Sequence, residues 1–220
     1  MILEAQTLAR VILRKTKLTG LAHQVRMLWH RSDYEDRFAD LVLASIQPDD
    51  CVWDVGANVG FYTAQFSRLA RYVVAFEPVA ANCAQIESQR MTNVNCQQLA
   101  LGDAAGALPM FVDVEYSSLA VRPRPEASRQ MVKVVRGDDL TNLLHPTVVK
   151  IDVEGYELEV IRGMAGVLSR VRALFLEIHF QILASRGTPQ APAALVRDLR
   201  RLGFSRIEWP DASHIAAFRT

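Results

Sequence analysis

The sequence predicts an α/β fold built on a mostly parallel sheet, and three features carry that reading. An apolar strand, Val52-Trp53-Asp54-Val55, runs through Gly56-Ala57-Asn58-Val59-Gly60 into the helix opening Phe61-Tyr62-Thr63. From there apolar runs and amphipathic segments alternate, a rhythm that implies right-handed crossovers between parallel strands. Acidic residues close or follow several apolar runs, at Asp54, Glu77, Asp152 and Glu177, the strand ends where ligands gather in open sheets.

Residues 1–31 place Leu8, Val11 and Ile12, then Leu21, Val25 and Leu28, at helical spacing around Gly20 and predict two short helices. Arg10, Arg14, Lys15, Lys17, Arg26 and Arg31 stand there against Glu4 alone. A solvated helix face explains them more simply than a membrane-surface or anionic-substrate role. A helix over 34–46 ends at Gln47-Pro48-Asp49-Asp50, so that 1–50 forms a helical cap segment and 51–220 the main domain, one compact unit overall. Strands are predicted at 51–55, 72–76 and 94–98, with helices near 60–70 and 79–91. Leu108–Val114, Ser117–Val121 and Met131–Val135 follow one another without helices and read as a hairpin-like insertion. Between them the proline-rich, polar stretch Arg122–Gln130 reads as a mobile loop. Strand 147–151, helix 156–169, strand 172–178, helix 190–202 and strands 204–208 and 213–219 complete the series, which has no internal repeat.

A chain of 220 residues, half hydrophobic and 22% charged, fits one domain with a substantial core. Its net charge of +1 argues against dedicated nucleic-acid binding. Cys51, Cys83 and Cys96 are scattered, without a Cys-x-x-Cys pair, and read as reduced thiols. The start lacks a signal peptide's order of basic then apolar residues, and no apolar run approaches the roughly 20 residues of a membrane span. A soluble, cytoplasmic protein is the expectation.

The strand-to-helix glycines let a ligand approach bare backbone at a helix start, where free amides attract an anionic group. A dinucleotide fingerprint wants Gly-x-Gly-x-x-Gly, and its middle glycine is Asn58 here. That side chain crowds a pyrophosphate but can hydrogen-bond an amino-acid tail, which favours S-adenosyl-L-methionine over NAD. Asp54, Gly56, Asn58 and Gly60 form the expected loop; for Asp54 a capping or turn carboxylate remains the alternative. Glu77, 21 residues beyond Gly56, can accept both hydrogen bonds of a ribose diol. Phe76 and the Leu99-Ala100-Leu101-Gly102-Asp103 segment can flank the adenine, with Leu101 and Asp103 as candidate contacts.

Lys150-Ile151-Asp152-Val153-Glu154-Gly155-Tyr156-Glu157 ends an apolar strand in carboxylates before a helix. The strand belongs beside the first one at the topological switch point, which turns Asp152 toward the cofactor crevice. Glu154 and Glu157 also suit the first turn of a helix, the simpler reading for Glu157. In Leu174-Phe175-Leu176-Glu177-Ile178-His179, strand periodicity puts Glu177 and His179 on one side. An ordinary imidazole pKa of about 6.5 makes His179 the histidine best suited to a general base, against the alternative of a hydrogen-bonded structural group. Asp152, Glu154 and His179 also have the chemistry of a metal site, but spacing does not establish their convergence, and no metal is assigned.

In these residues the chain resembles the FkbM family of S-adenosylmethionine-dependent methyltransferases. The matching pieces are Trp53–Gly60, Phe76-Glu77-Pro78, Ala100–Asp103 and Lys150–Glu157, across roughly residues 50–180. The resemblance implies a class I methyltransferase (Rossmann-like) fold: a mostly parallel seven-stranded sheet, helices on both faces and an antiparallel last strand. It implies O-methylation of a small-molecule hydroxyl acceptor, a sugar or a natural product, with S-adenosyl-L-homocysteine as product. Asp54, Gly56, Asn58 and Gly60 then correspond to the methionine-end loop, Glu77 to the ribose ligand and Asp152 to the active-site carboxylate. The acceptor proton goes to His179 or Asp152, with Glu154 and Glu177 positioning the acceptor; Ser117 and Ser118 are further candidates for contacting it. A loop bearing Arg122, Arg124 and Arg129 is more simply a solvated loop than a cover or phosphate contact. The rival readings are a non-catalytic cofactor-binding scaffold or regulator and an NAD-dependent oxidoreductase. A nucleic-acid methyltransferase is disfavoured because no Asn-Pro-Pro-Tyr type of motif follows the fourth main strand.

Overall fold

The computed structural model describes residues 33–112, 117–118 and 128–219. The helices expected within 1–31, the extended residues 113–116 and 119–121, and 122–127 of the expected loop lie outside the described residues.

Parallel pairing of β1 (Cys51–Val55) with β2 (Tyr72–Phe76) and of β2 with β3 (Val94–Gln97) builds one side of the main sheet. On its other side β1 pairs with β8 (Val148–Ile151), and β8 with β9 (Ala173–Glu177), again in parallel. β11 (His214–Phe218) runs antiparallel to β9 and to β10 (Arg206–Glu208). The resulting order is β10-β11-β9-β8-β1-β2-β3, seven strands with β11 reversed. The order changes direction between β1 and β8, so a crevice opens at their carboxyl ends.

Both faces of the sheet are buried at its centre, so β2 is a continuous apolar run and β1, β8 and β9 are apolar but for one residue each. Val52, Val73, Val148, Phe175 and Ala216 face Phe38 and Val42 of α1 (Asp33–Ala44) and Phe66 of α2 (Phe61–Leu69). On that side lies also Ile86 of α3 (Ala80–Ser88), against Ala75. Trp53, Phe76, Ile151 and Leu176 face the other way, toward Leu158 of α4 (Glu157–Gly163), Leu168 of α5 (Ala165–Leu168), Leu183 of α6 (Phe180–Ser185) and Leu195 of α7 (Ala191–Arg201).

The insertion is a second sheet, with β5 (Gly106–Val112) between β6 (Ser117–Ser118) and β7 (Ser128–Val135), and β4 (Ala100–Leu101) alongside β7. Its inner face packs Met110 and Val132 on Val79 at the crevice.

Three elements differ from expectation. Ser128, Arg129 and Gln130, read as loop, pair with Val112, Phe111 and Met110; they are exposed, so no apolar alternation marks them as strand. The helix expected over 156–169 is two, because Gly163 ends α4 where a side chain would overlap the carbonyl of Gly102. The six residues of α6 are too few for helical periodicity to show.

Phe38 is fully buried, packs edge-on against Phe175 and stacks on His214 with ring centroids 3.9 Å apart. Phe38→Ala is expected to destabilise the fold by about 3–5 kcal/mol, measured by chemical denaturation; an unchanged unfolding midpoint would show that α1 is not part of the core.

Candidate active site

Gly56 leaves β1 at φ 83°, Asn58 follows at φ 50° and Gly60 opens α2 at φ 86°. A side chain on Gly56 would overlap the carbonyl oxygen of Asp152, so glycine is what lets the loop pass against β8. The Gly56 and Ala57 amides donate to the Phe76 carbonyl at 3.0 and 3.1 Å, holding the turn to the end of β2.

Glu77 locks this loop. Its Oε2 accepts from the Asn58 amide at 2.8 Å and its Oε1 from the Val79 amide at 2.8 Å, while Asn82 Nδ2 reaches Asn58 Oδ1 at 3.2 Å. Burial outweighs these hydrogen bonds and pushes the Glu77 carboxyl up to about 7. The loop and Glu77 border a cavity whose wall includes Phe76, Ala100, Leu101, Met110 and Tyr156 and which is also lined by Asp152 and Glu154. Of the residues expected to flank an adenine, Phe76 and Ala100 line this cavity. Leu101 lines the cavity, whereas Asp103 and Gly60 do not.

Asp54 also stands outside the cavity wall. It is fully buried, accepts from Thr63 Oγ1 at 2.6 Å and faces Lys150 Nζ at 3.8 Å. Burial raises its pKa against the opposing pull of Lys150. Asp54 and Lys150 are register partners on β1 and β8. The ammonium also lies 3.4 Å from Asp152 Oδ2 and 4.7 Å from the Tyr62 ring centroid. Burial alone would lower the lysine pKa, but Asp152 and Asp54 outweigh it and hold the ammonium above the usual range. Burial would likewise raise Asp152; Lys150 and then His179 reverse this and lower it.

His179 stands among four carboxylates. Nδ1 meets Glu157 Oε1 at 2.6 Å, and Nε2 lies 3.1 Å from Glu154 and 3.8 Å from both Asp152 and Glu177. Glu157, read as a first-turn acid, is fully buried and also accepts the Gly155 amide at 2.9 Å. Burial alone would lower the imidazole, yet Glu154 and Glu157 raise it to about 11. The near-neutral pKa that made His179 the preferred base does not hold here; the ring is an imidazolium. Glu154 sits at φ 53°, and burial raises its carboxyl. Behind Glu177, His214 Nε2 lies 3.4 Å away and its Nδ1 2.8 Å from Asp211.

Asp152, Glu154 and His179 each offer a ligand atom within 4.8 Å of the others, the convergence that spacing left open. Here Nε2 of the charged ring is already matched to Glu154.

Lys150 and Met110 received no role from sequence, although a lone lysine inside an apolar parallel strand was a usable signal. Met110 had none, since it comes from the insertion.

Comparison with known proteins follows this geometry. The profile of the methyltransferase FkbM domain matches residues 54–206. Hexuronic acid methyltransferase AglP of Haloferax volcanii is 31% identical over 166 residues, 70% of this chain and 67% of that protein. Methyltransferase 1 of Beauveria bassiana is 26% identical over 167 residues, 61% of this chain and 66% of that protein. Among solved structures, methyltransferase FkbM of Methylobacillus flagellatus aligns with a TM-score of 0.58 and 16% identity, over 82% of this chain and 48% of that one. This chain therefore spans about half the length of that structure. A Streptococcus mutans chain described as a methyltransferase, in complex with SAH, aligns at 0.55 and 11% identity, over 86% and 99%.

Because its pKa is raised, the stabilisation that the charged His179 provides is complete below about 6.5 and disappears as pH rises through about 11. In an NMR titration the His179 ring signals are expected to stay in the imidazolium position between about pH 5 and pH 8. A midpoint near the ordinary histidine value would show that the carboxylates do not hold the proton.

Proposed function

The chain belongs to the FkbM methyltransferase family, whose cofactor is S-adenosyl-L-methionine, and from that premise we propose that it O-methylates a hydroxyl of a sugar or a glycosylated natural product. The observation that carries this reading is one cavity bordered on one side by the Gly56–Asn58 loop and Glu77 and on the other by Asp152 and Glu154.

The residues fit the cofactor. The apolar wall of Phe76, Leu101 and Met110 suits a purine, Glu77 at the end of β2 suits a ribose diol, and the acidic far side suits a cation. When bound, the cofactor supplies a sulfonium-activated methyl group. Asn58 orients the amino-acid end through its side-chain amide, while Glu77 both accepts from the ribose and fixes the Asn58 backbone. Gly56 and Gly60 give the loop its shape. Asp54 acts one layer below, by holding Lys150.

Glu154 takes the proton of the acceptor hydroxyl. Its raised carboxyl is a stronger base than Asp152, which Lys150 keeps low. Asp152 accepts a hydrogen bond from the acceptor and aims it. His179, locked by Glu157, orients the Glu154 carboxylate, and Glu177 completes the acidic rim.

A hydroxyl is favoured over a carboxylate as the group that takes the methyl, because a carboxylate at the reacting position would meet Asp152, Glu154 and Glu177 together. Sugar chemistry is supported by the Haloferax volcanii relative, which is named a hexuronic acid methyltransferase. Among the described residues no helix is long and apolar enough to cross a membrane. Free Cys51, Cys83 and Cys96 suit a reducing compartment such as the cytoplasm.

Glu154→Gln is expected to lower kcat by about 10²- to 10⁴-fold with affinity for S-adenosyl-L-homocysteine unchanged by calorimetry. Glu77→Ala is expected to weaken that affinity by at least about tenfold. Loss of cofactor affinity alone in Glu154→Gln would reject the base assignment, and unchanged affinity in Glu77→Ala would reject the ribose assignment.

A further inference from the structure

Two large aromatic side chains stand exposed on segments that adjoin the acidic rim in the chain. Phe180 directly follows His179 at the start of α6 and is 40% exposed; Trp209, in the β10–β11 turn, is 45% exposed. Their ring centroids are 6.3 Å apart and their planes 31° from parallel, so together they form a shallow, tilted surface. An aromatic contact left in water on both members is a poor stability device, because burial supplies most of what such rings contribute.

The turn that carries Trp209 is tied to the site. The Asp211 carboxylate accepts the Ser213 and His214 amides and pairs with the His214 ring, which itself reaches Glu177 at 3.4 Å. The Ser213 carbonyl accepts the Ile178 amide at 2.8 Å, immediately before His179. β11 is antiparallel to β9 and begins opposite Glu177, so the turn projects at the same end of the sheet as the cavity. The segments that carry Trp209 and Phe180 are therefore tied by hydrogen bonds to each other and to Glu177 of the acidic rim.

We propose that Phe180 and Trp209 form the acceptor subsite, a shelf on which the apolar face of a pyranose ring stacks while one of its hydroxyls reaches Glu154 and Asp152. This rests on the sugar-acceptor reading above. A pyranose presents several C–H groups on one face and hydroxyls around its edge; the C–H face suits the negative face of an aromatic ring, and the hydroxyl edge suits carboxylates. The pairing of exposed rings with an acidic rim matches that division of the ligand. It also predicts that the acceptor's ring is recognised by residues that do not line the cofactor cavity.

The test uses the full chain with saturating S-adenosyl-L-homocysteine, and methyl glucopyranoside and methyl glucuronide as probes. Binding is read from the part of the tryptophan emission that Trp209→Phe removes, because Trp209 is exposed, Trp53 is buried and the chain also carries Trp29. A saturable emission change is expected in the wild type. For whichever glycoside is methylated, Trp209→Ala is expected to raise KM by about tenfold with kcat and affinity for S-adenosyl-L-homocysteine unchanged; Trp209→Phe restores KM, and Phe180→Ala gives a smaller rise. Thermal unfolding of each variant separates loss of the shelf from loss of the fold. Unchanged KM in both alanine variants, with the wild type turning over a glycoside, overturns the shelf and leaves the sugar reading standing. No binding and no methylation of any glycoside by the wild type overturns both.

Discussion

The seam between β1 and β8 depends on a buried ammonium. Lys150 lies between Asp54 and Asp152, in a strand whose other residues are fully apolar and fully covered. An isolated lysine there would lose its proton or its place, and an isolated Asp54 would take up a proton or lose its place. Each is stable as a charge because the other is present, and removing one member of such a pair leaves the other uncompensated, which costs about 3–5 kcal/mol where both are buried. The seam is also where sheet order reverses, so the charge that holds the strands together sits directly beneath the crevice. Lys150 reaches the chemistry through Asp152, whose carboxyl it keeps ionised.

The same economy of contacts governs the cofactor side. The Gly56–Gly60 loop has three residues in the left-handed region, two of them glycine and one Asn58, the non-glycine type that tolerates it best. Glu77 secures that shape by accepting the Asn58 amide. Its carboxylate therefore does two things at once, and its oxygens are partly committed before any ribose arrives. The protonation of Glu77 near neutrality follows from burial, so loop geometry and cofactor recognition are linked through one titrating group.

Strands were legible because both faces of the main sheet are covered, so Val52–Val55, Val73–Phe76 and Val148–Ile151 are apolar apart from the paired Asp54 and Lys150. Glu77 and Asp152 were legible because they stand where such runs stop. Glu157 was not, since an acid in the first turn of a helix looks alike whether it faces water or is fully enclosed against a histidine. Nor was the protonation of His179, which depends on Glu154 and Glu157 arriving from another strand end and helix. Met110 was hidden for a related reason: β5 enters the crevice by pairing with β7, and the polar stretch Ser128–Gln130 that extends this pairing gives no periodic signal. What the sequence concealed is what distant segments do to one another's charge and exposure.

The excess of acid around His179 separates binding from rate. Carboxylates near a cationic donor stabilise the bound state, and stabilising that state alone does not speed transfer. Rate requires negative charge where positive charge arrives, on the acceptor oxygen as it gains the methyl group and before it loses its proton. Glu154 and Asp152 differ in how well they can serve there. Asp152 is already neutralised by Lys150, while burial makes the Glu154 carboxylate costly to keep charged and ready to take a proton. The imidazolium of His179, fixed from behind by Glu157, limits that cost by pairing with Glu154 in the resting site. A base held this way is positioned by a charge rather than by water, so its orientation persists when ligands displace water from the cavity.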